Sequence, residues 1–187
     1  MKHSIPGYAQ LAALAAIIAA LAAFSSPVMA DMTATPTPAQ WQEHKGSIDY
    51  FGLTSHYSCT GIEGAVKQVL KTLGARKDMT VDANGCSSLD MPSSHSLTVN
   101  VHMYSLAPAD KNATSAPVMA NWAPVEIKPN HPSFMGDGDC ELIDHMHDFI
   151  AKNFSAQNLD YRASCTPHEI TLNSFNVHGE FLKTATP

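Results

Sequence analysis

The spacing of the rarest residues constrains this chain more than any other feature. Trp41 stands 18 positions before Cys59, and Trp122 stands 18 before Cys140. Cys59 to Cys86 is 27 positions, and Cys140 to Cys165 is 25. One tripeptide follows each cysteine pair, Asn100-Val101-His102 and Asn176-Val177-His178, and Leu106 and Leu182 stand four residues past the histidines. These landmarks predict one unit written twice, with a period near 80 residues and the small length differences placed in loops. The two repeats span about 41–106 and 121–187, with a linker over 107–120. They are expected to form one domain, because about 70 residues bury little core alone.

The local patterns agree. After Cys59, Ile62, Val66, Val69, Leu70 and Leu73 recur at helical spacing, and Gly74 supplies the stop. After Cys140, Leu142, Ile143, Met146, Phe149, Ile150 and Phe154 do the same, with Asp139, Glu141 and Asp144 near the positive end of the helix dipole. Short strands are expected at 79–83 and 159–163. Longer ones follow, in which Leu97, Val99, Val101 and Met103 alternate with Thr98, Asn100, His102 and Tyr104. Phe175, Val177, Gly179 and Phe181 likewise alternate with Ser174, Asn176, His178 and Glu180. Period two with one polar face marks a half-buried antiparallel strand. Strands at 47–53 and 124–128 open the units. The expected fold class is α+β: a βαββ unit used twice, giving six antiparallel strands with two helices on one face.

The first thirty residues read as a secretory signal peptide. Lys2 is the charged start, Leu11 to Phe24 is an apolar run of 14, and Val28-Met29-Ala30 places small residues for cleavage after Ala30. A membrane span needs about 20 apolar residues, so no stable anchor is expected after cleavage. A Thr/Pro-rich leader over 31–40 follows, and the mature chain is expected to be periplasmic or secreted. All four cysteines lie in it, and an oxidising compartment favours disulfides. Four cysteines allow three pairings. The repeat favours Cys59–Cys86 and Cys140–Cys165, with a crossed pairing between halves as the rival. No C-x-x-C is present.

The formal charge is −6, which gives no basic footprint for nucleic acid. No G-x-S-x-G, H-E-x-x-H, P-loop or G-x-G-x-x-G occurs. The mature part holds nine histidines. His102 and His178 occupy matching places on the polar faces of matching strands. If those strands are neighbours, the two imidazoles approach each other, with Asn100, Asn176, Tyr104 and Glu180 on the same face. Two histidines and a glutamate suit Zn²⁺ or Cu²⁺, and the same face suits a small polar ligand. His145 and His147 are two apart on a helix and point away from each other, with His145 toward solvent and His147 near the apolar face. Met91, His95, His102 and Met103 mix soft and imidazole ligands, yet Met103 points opposite to His102. His131, Met135, Asp137 and Asp139 read as a polar turn and helix cap. Arg76 complements a helix C-terminus, or contacts an anion.

The stretches Tyr50-Phe51-Gly52-Leu53-Thr54, Tyr57-Ser58-Cys59, Leu73-Gly74-Ala75-Arg76-Lys77-Asp78, Gly138-Asp139-Cys140-Glu141-Leu142 and Cys165-Thr166-Pro167-His168 resemble a set of exported proteobacterial proteins with paired cysteines. The resemblance implies export and the paired cysteines, and carries no activity. The expected role is non-catalytic binding in the bacterial envelope, through the polar sheet face or a sheet edge, to a small ligand or an envelope protein. The alternative is a small exported enzyme or a Zn/Cu-binding protein using the same histidine-bearing face.

Overall fold

Both helices form where the apolar spacing places them. In the computed structural model, which describes residues 35–86, 96–110 and 116–185, helix α1 (Cys59–Thr72) starts at Ser58, whose hydroxyl accepts the Gly61 N–H at 3.1 Å. It buries Ile62, Val66, Val69 and Leu70. It ends before Gly74, whose φ of 103° is left-handed. A Cβ at Gly74 would stand 2.9 Å from the Leu182 carbonyl oxygen. Gly74→Ala is therefore expected to cost about 2 kcal/mol. For a domain of this size that is a Tm lower by roughly 4–8 °C, and an unchanged melting curve would refute the close packing.

The remaining elements are β1 (Thr37–Phe51), β2 (Thr80–Asn84), β3 (Ser96–Pro108), β4 (Val118–Ile127), helix α2 (Cys140–Asn153), β5 (Ala156–Thr166) and β6 (Glu169–Thr184). The fold is α+β, a six-stranded antiparallel sheet of order β2-β3-β1-β4-β6-β5 with two helices packed on it. Each half reads βαββ, and the strand order is the same outward from the β1–β4 seam. Registers match as well. Trp41 stands opposite Leu106 and Trp122 opposite Leu182, while Lys45 faces His102 and Glu126 faces His178.

Side chains alternate between two faces. On the inner face Ile48, Val101, Met103, Val125, Val177 and Phe181 join both helices in one core. On the outer face Ala39, Leu106, Ala120 and Leu182 cluster with Trp41, Val118 and Trp122 at the seam. The recurring Trp and Leu are thus cross-strand partners that cover the joint between the halves.

That seam has three rungs, Thr37↔Ala120, Pro38↔Met119 and Ala39↔Val118. Pairing at their first residues sends β1 and β4 off in opposite directions, with β6 following β4. A flat sheet would hold their far ends far apart. Yet the Thr54 hydroxyl donates to the Thr166 carbonyl at 3.3 Å, and the His168 N–H donates to Thr54 Oγ1 at 2.9 Å. The sheet therefore bends around the helices until loop 52–58 meets the β5–β6 turn.

Several strands are longer than the pattern suggests. β1 begins at Thr37, inside the expected leader, and β3 and β4 reach Pro108 and Val118, inside the expected linker. Gln42 to Ser47 shows no apolar alternation, so this part of β1 is specified by backbone pairing with β3. Pro38 is tolerated because its carbonyl alone is used, accepting the Ala109 N–H at 3.1 Å. The expected signal peptide lies outside the described residues. Among the described residues no helix is long and apolar enough to cross a membrane.

Two disulfides, Cys59–Cys86 and Cys140–Cys165, have Cα separations of 5.9 and 5.6 Å and leave no free cysteine. Each ties the start of a helix to the strand region that follows it. Two such bridges indicate an oxidising compartment.

Candidate functional site

The outer face of the first half is built from alternate residues of three strands. On β3, His102 stands opposite Lys45 and Thr80, and Asn100 stands opposite Ser47 and Asp82. These six residues line an open groove of about 520 Å³. Glu43 Oε1 lies 2.8 Å from Lys45 Nζ and 2.7 Å from His102 Nε2. The hydrogen bond from Lys45, then that with His102, holds the Glu43 carboxyl below its ordinary range. The His102 and Tyr104 rings are 5.6 Å apart. The structure thus brings Asn100, His102 and Tyr104 together on one exposed strip.

It does not bring His178 to them. β1 and β4 lie between β3 and β6, a lateral gap of three strand spacings of about 4.8 Å each. The expected two-histidine site is not formed, because the halves join at β1 and β4 and their third and sixth strands point away from the seam. His178 faces Glu126 and Asp160 instead. Asn176 pairs in register with Arg162, and its Oδ1 is buried without a hydrogen-bond partner. Asn158 Nδ2 lies 3.5 Å from Glu180 Oε2. Among the described residues no group of three His, Cys, Asp or Glu converges as a metal site. Met91 and His95 lie outside the described residues, and Met103 is fully buried in the core.

The helix histidines depart from expectation in detail. Both are exposed. His145 Nε2 lies 3.3 Å from the Phe51 nitrogen and 3.0 Å from its carbonyl oxygen, so it covers the end of β1 rather than facing only solvent. His147 packs 4.4 Å from the Tyr161 ring. Asp139 does cap the turn before α2, accepting the Gly136 N–H at 2.7 Å.

Glu141 has a role that the dipole argument missed. Its carboxylate accepts the backbone N–H groups of Leu53, Thr54 and Ser55 at 3.0–3.2 Å. The Tyr57 hydroxyl donates to Asp139, and the Tyr50 hydroxyl donates to the Ser55 carbonyl. The first turn of α2 thereby clasps the loop after β1. Burial pushes the Tyr50 and Tyr57 hydroxyls well above their usual range, and the oxygens of Glu141 are occupied by N–H donors. The junction is suited to holding structure, not to moving protons. Its three segments, Tyr50 to Thr54, Gly138 to Leu142 and Cys165 to His168, are far apart in the chain, and no spacing or periodicity in the sequence points to their meeting.

Comparison with protein-family profiles, with curated proteins and with solved structures returns no match.

Proposed function

We propose that this chain is an exported binding module, released after Ala30, built by duplication of a βαββ unit, and acting without catalysis in the bacterial periplasm or medium. The matching registers of the two halves support the duplication, and the two disulfides support the export. One observation carries the binding role. Lys45, Asn100 and His102 with Ser47, Thr80 and Asp82 present hydrogen-bond donors and acceptors of both charges along one open groove. That chemistry suits a small, hydroxyl-rich polar ligand.

Native mass spectrometry of protein purified from periplasm without chelator tests this reading. A denatured mass of residues 31–187 less four hydrogens is expected, with extra native mass that Asn100→Ala/His102→Ala loses while keeping its Tm. Identical native and denatured masses overturn the binding role. Retention of residues 1–30 overturns export with cleavage.

A further inference from the structure

Four of the eleven cationic residues of this acidic chain meet in one place. Lys71 from the last turn of α1, Arg76 and Lys77 from the loop after Gly74, and Lys183 from β6 line a pocket of about 280 Å³ beside Trp41. Arg76 is paired, its Nε and Nη2 donating to Asp78 at 2.7 and 2.8 Å. Among the described residues Lys71, Lys77 and Lys183 have no carboxylate partner. Lys183 is half-buried, and loss of solvent lowers its pKa with no neighbour opposing the change.

The helix dipole does not account for this cluster. A helix C-terminus is worth about half a negative charge, against three unpaired ammonium groups. The last carbonyls of α1 are also already used, because Leu73, Gly74 and Ala75 donate their N–H groups to Val69, Lys71 and Leu70. Of these cations Arg76 is held by the fold as well. The Arg76 N–H donates to the Tyr104 carbonyl at 2.9 Å, which fastens the loop to β3. The guanidinium lies 3.7 Å from the Tyr104 ring centre and 5.6 Å from that of Trp41. Three lysines without a carboxylate partner among the described residues, lining one pocket with a guanidinium fixed on two rings, make an arrangement that anions complete.

We infer that this pocket binds an anionic group, a phosphate or a carboxylate, on a small ligand whose flat or sugar-like face rests on Trp41. At roughly 30 Å³ per water, the pocket holds about nine waters, the bulk of one monosaccharide. The pocket shares no lining residue with the His102 groove, from which Tyr104 separates it, and the inference does not rest on that groove. The second half does not repeat the pocket: the position matching Tyr104 is Glu180, a carboxylate where the first half has the ring that Arg76 packs on.

The test uses the exported, disulfide-bonded chain. Trp122→Phe leaves Trp41 as the sole tryptophan, so its fluorescence reports the pocket, and calorimetry on the unsubstituted chain serves as a second readout. Glucose 6-phosphate, glucuronate, inorganic phosphate and glucose are titrated at constant ionic strength. Saturable binding of the charged sugars is expected, with none for glucose. Lys183→Met should weaken it at least tenfold at unchanged Tm, and Lys183→Arg should restore it. A linear response, or an equal Kd in Lys183→Met, overturns the site. Inorganic phosphate binding as tightly as glucose 6-phosphate removes Trp41 from it.

Discussion

Replacing Glu141 with alanine is expected to lower the unfolding free energy by about 3 kcal/mol. Three backbone N–H groups lose their acceptor at once, and each buried orphan costs roughly 1–3 kcal/mol. Leu53 is exposed and its N–H regains water, whereas Thr54 and Ser55 are half-buried and do so less completely. Glu141→Gln keeps one acceptor oxygen and should lose about half as much. The effect should also fade in acid. Burial raises the Glu141 pKa, but the N–H groups of Thr54, Ser55 and Leu53 outweigh it and hold the group below its usual 4.5. A folded pKa below the unfolded one gives stability that is present above about pH 4.5 and is lost as pH falls through the folded value. Urea unfolding of both proteins at pH 7 and pH 3 checks this. An undiminished difference at pH 3 would show that the carboxylate charge is irrelevant.

Removing the neighbouring bridge, as Cys140→Ala/Cys165→Ala, should cost about as much. The bridge closes a loop of 25 residues, which the chain-entropy model values at about 3.5 kcal/mol. At 2–4 °C per kcal/mol for a domain of this size, the expected Tm loss is roughly 7–14 °C. Cys140 is fully buried beside the clasp, so its loss and that of Glu141 should combine non-additively. A Tm loss under about 2 °C would mean that the start of α2 is held without the bridge. Simple additivity would mean that the bridge and the clasp act independently.

The elements that the sequence discloses are those whose side chains are buried in register. Ile62 to Leu73 and Leu142 to Phe154 mark the helices, and Leu97 to Met103 and Phe175 to Phe181 mark the long inner strands, because each buries one stripe against the core. β1 is disclosed only at its end, since Gln42 to Ser47 is held by main-chain pairing that leaves no trace in side-chain type. The strand order is not disclosed either. Equal spacing of His102 and His178 shows that they occupy equivalent positions, not that those positions adjoin, and a seam at β1 and β4 holds them apart. Glu141 reads as a dipole complement because its partners are backbone groups 86 to 88 positions earlier. Arg76 was legible as a charge at the end of α1, where the structure pairs it with Asp78. Its companion Lys183 was not, because it arrives from the far end of the chain.

The bend that brings loop 52–58 to the β5–β6 turn has a kinetic consequence. Its closing contacts join residues up to 114 positions apart, and chains dominated by such distant pairings fold slowly, in milliseconds to seconds. Because synthesis proceeds from the N-terminus, the β1–β3 ladder and α1 can assemble early. The N–H groups of Leu53, Thr54 and Ser55 must wait in water until α2 arrives. The first half is thus an unfinished folding unit, and the second half completes it.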